Sequence, residues 1–489
     1  MGRGRPDLLR GRGALLFQET RVGRVLVAGT GTGTGKTTVC LALAAALTRR
    51  GLRVAPFKVG PDFIDAALLG AVAGRPARAL DPWMTSPDWV RASLARHEPP
   101  GGLALIEGMM GLFDGAGGPD DRGSAAEVAR LTGTPVLLVV DARGVARSAG
   151  ALALGFARFD PGLSLAGIIF NGVGGPAHRE TLEAGVAPVG LPILGALPWD
   201  GALAIPERHL GLLTPEARAL PAEQVARLAA AAEAHLDLDR IVSIAAAAPP
   251  LPVPAEQETP PAGPPVRIAL ARDAAFSFYY QDNLDLLEAS GAVLVAFSPL
   301  NDARLPAHLG GLCFGGGYPE SEAAGLAGNA SMREEVRRAV GAGLPVLAEC
   351  GGFMYLCRAI EDDAGRRHPM VGIFDAVVRF PGPGTLAYCR VDLVHPSPLG
   401  PTGASLRGHE FHASPVLAPP PVRARAYRVR RLPAGGPESE GYLAQSALGS
   451  YLHLHWGSCP DVAGHFVATC RAHAQGRGVA LPAGAGGSP

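Results

Sequence analysis

The feature that most constrains this chain is a run of small residues between an apolar strand and an Ala/Leu-rich helix. Val25-Leu26-Val27-Ala28 leads into Gly29-Thr30-Gly31-Thr32-Gly33-Thr34-Gly35-Lys36-Thr37-Thr38, and a helical pattern covers Thr37–Arg50. Glycines let a backbone curl until successive N–H groups converge on phosphate oxygens at a helix N-terminus. Gly33, Thr34, Gly35 and Thr38 then form the cradle. Lys36 reaches the β- and γ-phosphates, and the Thr37 hydroxyl ligates Mg²⁺. The strict pattern wants glycine six residues before the lysine; Thr30 stands there, with Gly29 one residue earlier. A strand–loop–helix unit of this kind requires a parallel α/β sheet that binds its ligand at the carboxyl ends of the strands.

The rest of the first half fits that sheet. Val25–Ala28, Val54–Phe57, Leu103–Ile106, Val136–Val140 and Leu165–Phe170 are short apolar runs separated by helical patterns, as buried parallel strands require. Residues 245–265, AAAAPPLPVPAEQETPPAGPP, are too proline-rich for a helix or central strand and read as a semi-rigid spacer. Strand–helix alternation then resumes. Val266–Leu270, Ala292–Ala296, Gly311–Phe314 and Pro345–Ala348 read as strands, Leu284–Ser290 and Ser331–Val340 as helices. The expected organisation is a disordered basic extension (1–23), a nucleotide-binding domain (24–244), a linker (245–265), a second α/β domain (266–475) and a flexible tail (476–489).

Acidic residues gather at the predicted ligand edge of the first sheet. Glu107 ends one strand and Asp114 follows in GLFDG; Lys58, Asp62 and Asp65 follow another in KVGPDFID. A single Asp after a strand commonly caps a helix. Four acids and a lysine beside a phosphate loop point instead to Mg²⁺ and phosphoryl chemistry. Asp141 is a further edge residue, and Asn171 is placed to read a purine edge with its amide.

The second domain carries a nucleophile. A strand ends in Glu349-Cys350-Gly351-Gly352-Phe353-Met354, where a helix begins. A cysteine on such a turn gains from the helix dipole, which favours thiolate, and the Gly351 N–H can donate to an oxyanion. Gly316, in GGGYPE after another strand, offers a second donor. The base comes from Tyr451-Leu452-His453-Leu454-His455, whose two histidines share one face of a strand. His409 and His412 in RGHEFH lack an evident third metal ligand and read as structural or substrate-contacting residues. The other cysteines read as small buried hydrophobes.

Composition narrows the partners. Lys plus Arg (44) equals Asp plus Glu (44), which argues against nucleic acid, and no apolar run is long enough to span a membrane. Seven cysteines with no CxxC pair fit a reducing, cytoplasmic setting. A phosphate loop that can activate a carboxylate, joined to a Cys–His site that can release ammonia from glutamine, implies ATP-dependent amidation.

The motifs KVGPDFID (58–65), GRPARALDPWM (74–84), IEGMMGLFDG (106–115), VVDARGVARSAGA (139–151), RHLGL (208–212), AFSFYYQDN (275–283), FSPLND (297–302), GGGYPE (315–320), AECGGFMYL (348–356) and RGHEFH (407–412) resemble those of the cobyrinic acid a,c-diamide synthases, glutamine-hydrolysing corrin amidotransferases. The resemblance spans residues 24 to 470. It implies a dethiobiotin-synthetase-like ATPase domain followed by a class I glutamine amidotransferase-like domain. It further implies Cys350 as nucleophile and His453 as its activator, with Mg²⁺ as cofactor and ATP and L-glutamine as co-substrates. The a- and c-acetates of cobyrinic or hydrogenobyrinic acid would be amidated in turn. Asp62, Asp65, Glu107 and Asp114 would hold Mg²⁺ or orient the substrate carboxylate. Class I glutaminases carry Glu two residues beyond the histidine; His455 stands there, which favours a dyad. Family members show Asn-Arg where this chain has Asn171-Gly172. The expected partners are small molecules, without nucleic acid or membrane, and a second copy of the chain in a homodimer. The rival readings are a cobyric acid synthase, favoured less by AFSFYYQDN and RGHEFH, and a P-loop switch ATPase with a degenerate glutaminase-like tail.

Overall fold

Seven parallel strands carry the first half of the chain. They are β1 (Arg24–Gly29), β2 (Val54–Val59), β3 (Arg78–Leu80), β4 (Leu103–Glu107), β5 (Val136–Asp141), β6 (Leu165–Val173) and β7 (Ile193–Pro198), in the order β3-β2-β4-β1-β5-β6-β7. The computed structural model describes residues 22–117, 120–205, 220–252, 263–417, 419, 425–432 and 435–476. The expected N-terminal extension and C-terminal tail fall almost wholly outside these residues, as does RHLGL. β1, β2 and β4 are buried along their whole length, so they read as continuous apolar runs. β3 and β7 add to the five strands foreseen. β3 has only three residues, and prolines at both ends mask β7. No helix among the described residues is long and apolar enough to cross a membrane.

Three helices position the first site. α1 (Lys36–Arg49) starts at the phosphate loop and is almost entirely buried. α2 (Phe63–Ala73) is capped by Asp62, whose side chain accepts from Ile64 N and Asp65 N. α3 (Pro87–His97) is capped by Ser86.

The linker begins later than expected. A helix runs Leu238–Ala246, Ala245 and Ala248 are buried, and the Pro249 carbonyl accepts a hydrogen bond from the buried Arg24 guanidinium. Alanine is the strongest helix former, so the first half of AAAAPP joins the helix, and the prolines act only from 249 onward. Residues 253–262 lie outside the described residues.

The second domain contains β8 (Val266–Ala271), β9 (Phe276–Phe278), β10 (Ala292–Phe297), β11 (Gly311–Phe314), β12 (Gly316–Gly317), β13 (Val346–Glu349), β14 (Cys357–Glu361), β15 (Arg367–Pro369) and β16 (Phe374–Arg379). It continues with β17 (Thr385–Leu393), β18 (Ser405–His412), β19 (Arg425–Leu432), β20 (Glu438–Ala444), β21 (Ala447–Ser450) and β22 (Leu452–His455). Its ten-stranded sheet runs β10-β8-β11-β13-β21-β20-β19-β17-β18-β22, parallel as far as β21 and antiparallel beyond. Only Tyr451 separates β21, beside β13, from β22 at the far edge. The antiparallel half must therefore curl back until β22 lies near the end of β13. That curl carries His453 to the loop after β11, where a Cβ on Gly316 would meet its imidazole. α4 (Gln281–Ala289) and the short α5 (Gly351–Leu356) flank the site.

The two domains are joined by the motifs that neither phosphate binding nor a nucleophile elbow requires. Arg78 of β3 pairs with Asp282 at 2.5 Å and Asp285 at 2.7 Å on α4. The Tyr388 hydroxyl donates to the buried Asp81 carboxylate at 2.8 Å, and Asp81 also receives Trp83 N and Met84 N. Phe63 packs against Phe278, Tyr280, His409 and His453, with ring centroids 4.6–5.6 Å away. The ligand edges of the two sheets thereby face each other.

Candidate active site

The phosphate loop takes the shape its glycines permit. Gly33 and Gly35 have φ of 77° and 91°, which favour glycine. A Cβ on Gly35 would meet the Asn171 amide at 2.0 Å. Asn171 Nδ2 donates to the Thr34 carbonyl at 3.1 Å. That N–H braces the loop from β6, directly beneath Thr34–Gly35. Asp141 is likewise committed elsewhere, to a bidentate pair with Arg143, and does not join the acidic edge. Thr38 lies half-buried in the first turn of α1.

Lys36 Nζ donates to Gly31 O at 3.0 Å, and its pKa is lowered to about 8, by burial first and the neighbouring Lys58 charge second. The Thr37 hydroxyl donates to Glu107 Oε1 at 2.7 Å and lies 3.2 Å from Asp65 Oδ2. Lys58 binds Asp65 at 2.8 Å, Glu107 at 2.9 Å and Asp62 at 3.6 Å. Burial alone would lower the Lys58 pKa; the charges of Glu107 and Asp62 outweigh it and raise it. Four of the expected residues thus form one buried network with Thr37. Asp114 stands apart at the rim, where Oδ2 accepts from Gly111 N at 2.8 Å.

Cys350 occupies a strained elbow, with φ 47° and ψ −103°, a conformation retained where function demands it. Its Sγ lies 3.9 Å from the Phe411 carbonyl, and burial, then the Glu320 charge, push the thiol well above its ordinary value. This corrects the expected bias to thiolate. α5 is a six-residue helix, and its dipole does not offset desolvation of the anion. Gly316 stands against His453, since a Cβ there would meet the imidazole Cε1 at 2.4 Å. Gly317 rather than Gly316 lines the cysteine's cavity, and its N lies 3.1 Å from where a Gly351 Cβ would stand.

His453 is buried, stacks on His409 at 4.8 Å and has its pKa lowered to about 3 by burial, then by His412. It is therefore uncharged at neutral pH. Its Nδ1 makes no hydrogen bond, and the nearest carboxylate oxygen is Glu349 Oε2 at 3.9 Å. Burial raises the Glu349 pKa to about 8. His455 points elsewhere: its Nδ1 accepts from Gly457 N, and its Nε2 lies 3.5 Å from Asp282. His409 meets the Tyr280 hydroxyl at 2.9 Å, while His412 pairs with Glu410 at 2.9 Å and stacks on Tyr451. Set three residues apart on one strand, the two histidines face opposite sides and cannot share a metal.

Two cavities meet here. One, of about 640 Å³, is lined by the phosphate loop, Lys58, Asp62, Asp65, His409 and His453. The other, of about 80 Å³, holds Cys350, Gly317, Glu320 and His412. Ile64, Phe278 and Phe411 line both. Sequence reasoning missed this shared wall and Glu349. The wall is assembled from three distant segments with no local signature. Glu349, adjacent to the nucleophile, could have been noticed once Glu was absent from position 455.

These features define a nucleotide-binding domain fused to a glutaminase-type domain. Residues 25–213 match the CobQ/CobB/MinD/ParA nucleotide binding domain, and residues 267–460 match the CobB/CobQ-like glutamine amidotransferase domain. The cobyrinate a,c-diamide synthase of Syntrophotalea carbinolica is 44% identical over 92% of this chain and 98% of that protein. Those of Dehalococcoides mccartyi and Gloeobacter violaceus are 41% and 42% identical over 91% and 92% of this chain, each covering 97% of the relative. The chain belongs to the cobyrinate a,c-diamide synthase family.

Proposed function

We propose that the chain uses ATP and glutamine to amidate the a- and c-acetates of cobyrinic or hydrogenobyrinic acid. The observation that carries this reading is the wall of Ile64, Phe278 and Phe411 shared by the Cys350 cavity and the phosphate-loop cavity. Cavities that share a wall set the source of ammonia directly beside its acceptor.

At the cysteine, Sγ adds to the glutamine carboxamide carbon as its proton passes to His453 Nε2. Gly351 N–H and Gly317 N–H face the oxyanion. His453 returns the proton to the leaving nitrogen, ammonia departs, and water cleaves the thioester to glutamate. Glu349 balances the imidazolium. At the phosphate loop, Lys36 and the loop amides hold the ATP phosphates, and a corrin carboxylate attacks the γ-phosphorus to give an acyl phosphate and ADP. Ammonia then displaces phosphate. Thr37, Glu107 and Asp62 present only oxygen donors, as Mg²⁺ requires, and the buried Glu107 Oε2 has no hydrogen bond. No three His, Cys, Asp or Glu side chains among the described residues enclose a metal unaided, so phosphate oxygens and water would complete its shell. Bound there, Mg²⁺ neutralises charge on the phosphates.

The proposal carries with it a cytoplasmic enzyme of small-molecule substrates, without nucleic acid or membrane, as a homodimer. It is tested with Cys350→Ser. Glutamine should cease to support amide formation while added ammonia still does. Persisting use of glutamine would remove Cys350 from its role.

A further inference from the structure

A third cavity, of about 530 Å³, lies between the outer face of α2 and the segment 272–281 of the second domain. It adjoins the phosphate-loop cavity, and Lys58, Asp62 and Phe63 line both. Neither phosphate binding nor the cysteine uses it. Yet its lining comes from three of the distinctive motifs: KVGPDFID, the start of GRPARALDPWM, and AFSFYYQDN.

Its chemistry is specific. Ala66, Ala67, Gly70, Ala71 and Gly74 recur at helical spacing along α2, so the floor is flat and carries no side chain beyond Cβ. The opposite wall is aromatic and fixed. The Tyr279 hydroxyl donates to Ala271 O and accepts Gly315 N at 2.8 Å, and the Tyr280 hydroxyl meets His409. Two cations border the groove, Arg75 at the C-terminal end of α2 and Arg272 across from it, 5.9 Å over the Tyr279 ring. Neither guanidinium has a carboxylate partner among the described residues, whereas nearby Arg78 has two. The one acid in the lining, Asp62, is already held by Lys58 and the α2 amides.

A flat apolar floor, a rigid aromatic wall and two unpaired guanidiniums suit a broad, ring-shaped molecule with several peripheral carboxylates. We propose that this groove seats the corrin polycarboxylate, with carboxylates on Arg75 and Arg272 and one side arm passing Lys58 to reach the phosphate loop. The occupant rests on the function proposed above; the groove and its charge do not. The arrangement explains how one loop serves more than one carboxylate, since the ring can lift and turn on a floor without projections.

The test uses the full chain with Arg75→Ala/Arg272→Ala, and separately Ala71→Trp, which fills the floor from an exposed helix position. Cobyrinic acid binding is titrated by its visible absorbance, and its KM is measured at saturating ATP and glutamine. Each lost charged contact should weaken binding on the order of tenfold. The double variant should lose most of the salt dependence of binding, and Ala71→Trp should weaken binding with that dependence intact. Unchanged affinity and KM in both variants, while the parent amidates normally, would overturn the groove and leave the function standing. A parent that neither binds nor amidates cobyrinic acid or hydrogenobyrinic acid would remove both the function and this occupant.

Discussion

Glu349→Gln probes the base most sharply. When Cys350 gives its proton to His453, a positive charge appears in a buried ring whose Nδ1 lies 3.9 Å from Glu349 Oε2. At that separation an effective dielectric of about 20 gives roughly 4 kcal/mol of attraction, equivalent to about a thousandfold in rate. The neutral amide forfeits most of this, so glutamine hydrolysis should fall roughly 10²- to 10³-fold. The carboxyl pKa is raised to about 8, and the ionised form is the active one. Hydrolysis in the parent should therefore climb with pH through about 8, and that climb should vanish in the variant. Folding does not confuse the result. A carboxyl whose folded pKa exceeds its unfolded one weakens the fold increasingly as pH rises above the unfolded value and towards 8. The amide should hold the melting temperature or raise it at neutral pH. Glutamate release and ammonia-driven amidation are followed side by side. A variant within about threefold of the parent, with the same pH climb, would refute the assignment of Glu349.

Lys36→Ala should abolish amidation with both glutamine and ammonia, because the ammonium that meets the ATP phosphates is lost; surviving amidation with ammonia would exclude the loop. Phe411 is 36% exposed, so Phe411→Ala should open both cavities to solvent at their shared wall; ammonia escapes and glutamate formed per amide rises severalfold, which an assay of both products from one reaction detects. An unchanged ratio would mean that ammonia travels elsewhere.

The phosphate loop, its acids and the cysteine elbow were legible because each is local. Gly33 and Gly35 announce a left-handed backbone, and Glu349-Cys350-Gly351 announces a strand-to-helix turn. The antiparallel half of the second sheet was not. β17 to β20 are joined by loops of varied length, and strands such as Arg425–Leu432 carry so many charges that alternation is obscured. Nor could sequence place Asn171 under Thr34 or Phe63 among Phe278, Tyr280 and His453, since those contacts exist only once the two sheets face each other. The thiolate expectation failed for the same reason. The dipole of α5 is readable in sequence, but the burial that outweighs it comes from distant β18 and the loop after β12.

The central claim is tested most directly by mass spectrometry of the corrin after incubation with ATP and glutamine labelled at the amide nitrogen. A diamide carrying two labelled nitrogens is expected, with a singly labelled monoamide appearing first. An unchanged corrin, or amides without label, would contradict it.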